Sequence, residues 1–232
     1  MPELPLLSII VPTLNEGRSL TATLEAITHL RGQVEIIVVD GGSTDETIEI
    51  AGRFGAHVIE SERGRGLQMH AGACAARGEA LWFLHADTII PPDGVSEICK
   101  ALARDAETVG GNFTIQFDGD GSAARFLTWL YPQLRKVGLC YGDSAIFVRA
   151  STYREVGGFK PIPLFEDLDL VRRLSARGRM VHLPSAVITS SRRFEGRSFA
   201  LTFIRWAVLQ ALYWAGVNPH LLNRLYAPIR RE

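Results

Sequence analysis

The chain has 232 residues, 47% of them hydrophobic and 22% charged, and its 25 basic and 25 acidic side chains cancel. That profile excludes a disordered chain and leaves length for a full core, as one sizeable α/β domain or two tightly joined halves. The three cysteines, Cys74, Cys99 and Cys140, are odd in number and form no Cys-x-x-Cys pair, which points to reduced thiols in a cytoplasmic protein and away from a zinc site.

Residues 1–7 are short, carry Glu3 and run straight into a strand, unlike a signal peptide. Leu7–Val11 (LSIIV) is an unbroken apolar run that predicts the first strand, ended by Pro12. Thr13 to Glu16 then lead into a helix whose Leu20, Leu24, Ile27 and Leu30 share one face, with Gly32 as its stop. Glu35–Val39 predicts the second strand and runs into Asp40-Gly41-Gly42-Ser43-Thr44-Asp45. The two glycines permit a sharp turn close to a ligand, and Ser43 or Thr44 can cap the next helix. An acid at this strand end either meets a nucleoside base or ribose or completes a simple β-α turn.

Ala56–Ile59 predicts a third strand, followed by Glu62-Arg63-Gly64-Arg65-Gly66 and a helix of small residues. Met69 stands where a third glycine would complete a dinucleotide fingerprint, so the two arginines better suit a base or phosphate oxygens. After the Gly78 stop, Leu81 to Leu84 form an apolar run suited to a strand buried on both faces. It breaks at His85-Ala86-Asp87, and Pro91 and Pro92 prevent further pairing. Open α/β sheets bind ligands beyond the carboxyl ends of their strands. His85 and Asp87, two apart on an extended segment, can share a face and hold a divalent metal, or serve as loop and turn residues. A helix over Gly94–Arg104 closes four successive β-α units.

The pattern then changes. Gly110–Phe117 alternates like a strand of a mixed sheet, and Asp118 to Gly121 form a solvated turn without calcium-loop spacing. Phe126–Leu139 predicts an aromatic-rich helix, and Tyr141 to Ser144 lead into a strand over Ala145–Val148. Glu166, Asp167 and Asp169 cluster at the start of a helix that runs to Gly178. The helix dipole favours acids there and would keep Asp167 ionised, as a general base must be. Residues 187–194 predict a last strand and a loop with Arg192 and Arg193.

From Arg192 onward seven arginines face two glutamates, a net +5 that leaves −5 for the first 191 residues. Phe199–Val217 is apolar apart from Thr202, Arg205 and Gln210, and an arginine mid-helix costs roughly 2.5–3.5 kcal/mol on insertion, which argues against a membrane span. Residues 197–226 instead pack on the body, dimerise, or lie on an anionic membrane. Without a basic stripe interleaved with aromatics, no nucleic-acid partner is expected.

Together these stretches resemble the family-2 glycosyltransferases of the GT-A fold. The resemblance rests on SIIVPTLNE, VDGGSTDET, the Gly/Arg loop, LHADT, GDSAIFVR, GGF and FEDLDL, in that order, and spans most of the chain. The last third, with IPLFEDLDLVRRL, SSRRFEGR and LYWAGVNP, is most similar to a small bacterial subgroup, the transferases associated with radical-SAM and selenodomain proteins. The resemblance implies a single α/β domain on a mixed central sheet flanked by helices. Residues 1–109 would be a Rossmann-like donor half, 110–191 the acceptor and catalytic half, and 192–232 a basic, apolar helical tail.

It further implies a nucleoside diphosphate sugar donor, with a UDP-sugar as first choice, and a hydroxyl acceptor. Pro12 and Glu16 would line the nucleoside pocket, Asp40 would contact the base beside Gly41, and Arg65 would lie near the base or diphosphate. Ala86 and Asp87 would reach the donor, with Asp87 and His85 holding Mn²⁺ or Mg²⁺. Asp167 would be the base, Glu166 would position it or the acceptor, and Arg192 or Arg193 would contact the diphosphate.

Two departures stand out. His85 replaces the first acid of the family's Asp-x-Asp, which lowers the negative charge offered to a metal and suits Mn²⁺ better than Mg²⁺. His70 stands where the family usually has a small amide. Rival readings are a nucleotidyltransferase, a nucleotide-sugar hydrolase and a non-catalytic nucleotide-sugar-binding or scaffold protein; the intact Glu166-Asp167 argues against the last.

Overall fold

The computed structural model describes residues 6–119, 121–136, 141–190 and 198–226. The first part of the chain contains β1 (Leu7–Thr13), α1 (Gly17–Thr28), β2 (Val34–Asp40), α2 (Thr47–Arg53), β3 (His57–Glu60), α3 (Arg65–Ala75), β4 (Ala80–Phe83), β5 (Thr88–Ile89) and α4 (Gly94–Arg104). After it come β6 (Thr108–Phe117), α5 (Ser122–Lys136), β7 (Phe147–Arg149), α6 (Ala150–Glu155), α7 (Glu166–Ser175), β8 (Arg179–Thr189), α8 (Phe199–Trp214) and α9 (Pro219–Leu225). The eight strands form one sheet in the order β3-β2-β1-β4-β7-β6-β8-β5. The first four are mutually parallel, β7 is antiparallel to both its neighbours, β6 and β8 are parallel, and β5 is antiparallel to β8.

Strand alternation divides the core into two layers. Ile9, Val11, Val38, Trp82 and Leu84 join Leu20, Leu24 and Ile27 of α1 and Val95, Ile98 and Leu102 of α4. Ile10, Ile37, Val39, Leu81 and Phe83 join Met69 of α3, Tyr153 of α6 and Leu170 and Leu174 of α7. Each such side chain contributes about 1.5–3 kcal/mol on full burial. A third cluster brings Leu209 of α8 and Leu222 of α9 onto Tyr141, Phe165 and Leu168. Among the described residues no helix is long and apolar enough to cross a membrane.

Four expectations differ in detail. β1 continues through Pro12 to Thr13, paired with Val39 and Asp40. Ile10 O points to β4, accepting from Leu84 N, and Thr13 O points to β2, accepting from Gly41 N. By alternation the Pro12 nitrogen faces the β4 side, where pairing has ended, so its missing N–H leaves no ladder bond broken. β8 begins well before Val187 despite Pro184, because its register to β6 steps from Phe113↔Leu183 to Thr114↔Ala186 and leaves Pro184 and Ser185 bulged out of the ladder. β7 starts later than Ala145, whose left-handed φ of 51° follows the tight 3₁₀ turn Gly142–Ser144. Neither Ser43 nor Thr44 caps α2. Ser43 bonds Asp40, while Asp45 accepts from Thr47 N at 3.1 Å and from Gly17 N at 3.1 Å. Cys140 lies outside the described residues.

Candidate active site

The carboxyl ends of β1, β2 and β4 open onto one side of the sheet, and two kinds of residue gather there. The first kind builds loops. Asp40 is fully buried; its Oδ2 accepts from Gly42 N at 2.8 Å and Ser43 N at 2.7 Å, and its Oδ1 from Ser43 Oγ at 2.5 Å and Thr13 Oγ1 at 3.2 Å. Gly42, at φ 89°, supplies the backbone turn that aims both N–H groups at it. Gly41 leaves room for Gln68, whose Nε2 would lie 3.1 Å from a Cβ at that position and donates to Thr13 O at 2.7 Å and Val39 O at 2.9 Å. Gln68 thus ties the ends of β1 and β2 to α3. Sequence reasoning missed it; the available signal was an amide on the packed side of a small-residue helix. Glu16 is buried and accepts from Ser19 Oγ at 2.9 Å, Pro12 is half-buried, and Ala86 O accepts from Thr23 Oγ1 at 2.9 Å, fastening the loop after β4 to α1.

The second kind converges around Gly142. Its N–H donates to Asp167 Oδ2 at 2.6 Å, and a Cβ there would lie 3.1 Å from His85 Nε2 and 3.4 Å from Asp167 Oδ2. His85 Nδ1 is 2.9 Å from Asp143 Oδ1. Because a carboxylate accepts, Nδ1 carries a proton, and Nε2 is buried without a hydrogen-bond partner. Asp143 is the second residue that sequence reasoning left without a role. Asp87, two residues beyond His85, is half-buried. This donor set fits a divalent cation in part. A bare imidazole nitrogen oriented by a carboxylate is how proteins present a histidine ligand, yet among the described residues no three His, Cys, Asp or Glu side chains form a metal cluster.

Glu166 and Asp167 open α7, and their environments differ. Glu166 ion-pairs through Oε1 with Arg65 Nε, while its Oε2 is buried without a partner. Gly66 makes this possible, since a Cβ there would meet Lys160 O at 2.9 Å and Glu166 Cβ at 3.3 Å. Arg65 is held firmly protonated by Glu166 first, then by Asp167 and Asp143. Burial, then the Glu166 charge, push Asp167 up to about 6, against the opposing pull of Arg65 and the Gly142 and Leu168 N–H groups. Asp169, third of the acid cluster, plays another part. Although burial opposes it, bonds from Lys160 at 3.1 Å and Arg173 Nε at 2.8 Å hold its carboxyl below the usual range and lock α7 to the preceding loop. The residue before the pair, Phe165, is buried at a left-handed φ of 64° and packs against Tyr213 of α8, ring centroids 4.7 Å apart and planes tilted by 30°.

His70 also gains an account: Nδ1 is 3.1 Å from Tyr153 Oη and sits beneath Gly158, where a Cβ would come within 2.6 Å. It supports the GGF turn. Arg192 and Arg193 lie outside the described residues.

Four parallel strands leading into a mixed sheet, with an acidic helix start beside its carboxyl edge, are the features of a GT-A fold. The pattern of the family described as "Glycosyl transferase family 2" matches residues 8–154; the chain belongs to that family. A Mycobacterium bovis protein described as a PGL/p-HBAD biosynthesis glycosyltransferase is 39% identical over 114 residues, 46% of this chain and 42% of that protein. A Mycobacterium tuberculosis glycosyltransferase, itself uncharacterized, is 34% identical over 110 residues, 44% of this chain and 42% of that protein. The matches therefore span less than half of these curated relatives.

Among solved structures, the mannosyltransferase PcManGT from Pyrobaculum calidifontis, in complex with GDP-Man and Mn²⁺, superposes with a TM-score of 0.72 at 21% identity, covering 92% of this chain and 65% of that one. S. aureus TarS 1-349 with UDP-GlcNAc gives 0.64 at 18% identity, covering 84% and 60%. At such identities these likenesses establish the fold.

Proposed function

We propose that this protein transfers a sugar with inversion from a nucleoside diphosphate sugar to an acceptor hydroxyl, Asp167 taking the hydroxyl proton. The observation that carries the reading is the division of labour between adjacent acids. Glu166 is paired with Arg65, whereas Asp167 sits at a cleft, held by backbone N–H groups and pushed up to about 6 by burial and the Glu166 charge. A carboxylate of that pKa is ionised at neutral pH and still basic enough to accept a proton in the transition state. The acceptor oxygen attacks the anomeric carbon opposite the diphosphate, the bond to the diphosphate breaks with its electron pair, and the acceptor proton moves to Asp167. Glu166 acts by fixing Arg65 and α7.

On the donor side, Pro12, Glu16, Asp40 and Gly41 frame the nucleoside, with Asp40 acting chiefly through the loop it shapes. His85 Nε2 and Asp87, next to Ala86, would hold Mn²⁺ or Mg²⁺, the imidazole favouring Mn²⁺. When bound, such an ion stabilises charge on the departing diphosphate; Arg65 and, from outside the described residues, Arg193 would add to that. The motifs of the last third support the narrower radical-SAM/selenodomain-associated subgroup.

The test is Asp167→Asn, assayed for transfer and for stabilisation by UDP, GDP, ADP, CDP or TDP with Mn²⁺. Transfer should fall by about 10²–10⁴ while nucleotide binding stays within a few-fold. Near-wild-type turnover would remove Asp167 from the base role.

A further inference from the structure

We infer that Asn112 is a positioning residue for the reaction: from β6 it fixes, through Ser144, the turn Gly142–Ser144 that presents the Gly142 N–H to Asp167. This rests on the reading of Asp167 as the base. Asn112 is 2% exposed and stands apart from the cleft lined by Arg65, Asp143 and Asp167. An amide is out of character there. Asparagine is depleted in strands, and Phe113 and Ile115 beside it belong to the apolar core. Burying an amide is unfavourable unless its polar groups find hydrogen-bond partners, and here they do.

The bonds run in one direction. Ser144 Oγ is 2.5 Å from Tyr141 O, and since a carbonyl only accepts, the single hydroxyl proton is committed to it. Ser144 Oγ must then accept from Asn112 Nδ2, 3.0 Å away. The amide oxygen in turn faces His182, whose Nδ1 lies 2.6 Å from it and carries a proton. His182 is the partner of Asn112 across β6 and β8 and reaches solvent. Burial, then the Arg135 charge, hold its imidazole below the ordinary value, so it stays neutral.

The turn at the end of this chain needs support. Ala145, just after it, has a left-handed φ of 51°, which surroundings must hold in place. Trp82 Nε1 donates to Ala145 O at 3.1 Å, and Ser144 closes the other end on Tyr141 O through both N and Oγ. Between these anchors Gly142 N donates to Asp167 Oδ2 at 2.6 Å, while Leu168 N donates to Oδ1 at 2.7 Å. One carboxylate oxygen is thus held from within α7 and the other by the turn. A base freed on one side can pivot, and a displacement on the order of 1 Å is enough to cost about 100-fold in rate.

The test is Asn112→Asp. The carboxylate has the same size and pairs with His182, but it cannot donate; it accepts the Ser144 hydroxyl proton and draws it off Tyr141 O. Ser144→Ala, which removes the hydroxyl, covers the case in which the first variant misfolds. Hydrogen exchange is followed by NMR in protein labelled with nitrogen-15 glycine. In both variants Gly142 should exchange at least about ten-fold faster than in the wild type. Gly41, whose N–H donates to Thr13 O at 2.9 Å, should keep its rate. Turnover is read as release of nucleoside diphosphate from UDP-GlcNAc or GDP-mannose with Mn²⁺, water serving as acceptor. The kcat should fall by about 10–100-fold while the donor KM stays within about two-fold.

Unchanged Gly142 exchange overturns the inference. So does equal acceleration at Gly41, which would mark a general loosening of the sheet, and so does lost Gly142 protection with kcat intact. Failure of the base reading shows separately, as wild-type donor turnover in Asp167→Asn. If no nucleoside diphosphate stabilises the wild type and neither donor is turned over, the donor-site reading itself fails, and the Gly142 exchange alone decides whether Asn112 holds the turn.

Discussion

The loop after β2 and the floor around Gly142 both bury charged groups at the edge of one sheet, and they treat them in opposite ways. Asp40 has both carboxylate oxygens engaged, by Gly42, Ser43 and Thr13. Around Gly142, His85 Nε2 and Glu166 Oε2 are buried without partners, and burial pushes Asp167 up to about 6. A satisfied buried ion rigidifies the backbone that donates to it. A buried polar atom left open costs stability, and such sites persist where a ligand is to be met. The first region is therefore built to keep a shape, whereas the second keeps polar atoms open.

Substitutions should separate the two. Asp40→Ala removes the buried carboxylate that accepts from the Gly42 and Ser43 N–H groups and from Ser43 and Thr13 hydroxyls and should cost about 3 kcal/mol of stability, read as a lower urea midpoint; an unchanged midpoint would show that the loop does not depend on this carboxylate. Asp143→Asn should leave the midpoint nearly unchanged but weaken Mn²⁺ binding by about 10–100-fold, because the lock on the His85 tautomer is lost. Mn²⁺ titration followed by electron paramagnetic resonance measures this, and unaltered affinity would dismiss the His85 ligand.

The third effect is a pH dependence. Asp167 is raised above its ordinary value, so its neutral form is the one the fold favours. Its contribution to stability is fully present below about 4 and is lost as pH rises through about 6. Activity runs the other way, falling about ten-fold per pH unit below 6 as the base is protonated. A kcat/KM profile flat between pH 4.5 and 7 would contradict the assignment. The smallest effect belongs to Gly42→Ala. A Cβ there meets nothing within 4 Å, so the φ of 89° alone sets a cost of about 1–2 kcal/mol; a neutral substitution would mean that the turn relaxes.

The four β-α units were legible because unbroken apolar runs and glycine stops are local signals. Leu81 to Leu84 and the acids opening α7 needed no knowledge of the fold. The ends of β1 and β8 were not legible, since a proline is tolerated only when the neighbouring strand has stopped or the ladder bulges, and both facts depend on a partner strand. The site divides in the same way. Glu166 and Asp167 announce themselves by clustering at a helix start, but the contrast between them comes from Arg65, 101 residues before Glu166. Asp143 carries no local mark, and Gln68 only that of an amide on the packed side of its helix; each matters through what another segment brings to it.

Phe165 gives the tail a further meaning. A bulky residue at φ 64° is in an unfavourable conformation unless its surroundings hold it there, and what packs against its ring is Tyr213, supplied by α8. The residue immediately after it begins the helix that carries Glu166 and Asp167. A chain emerging from the ribosome can form its first β-α units early, but the ring that packs on Phe165 arrives only with α8. The start of α7 therefore leans on a segment that is synthesised well after it.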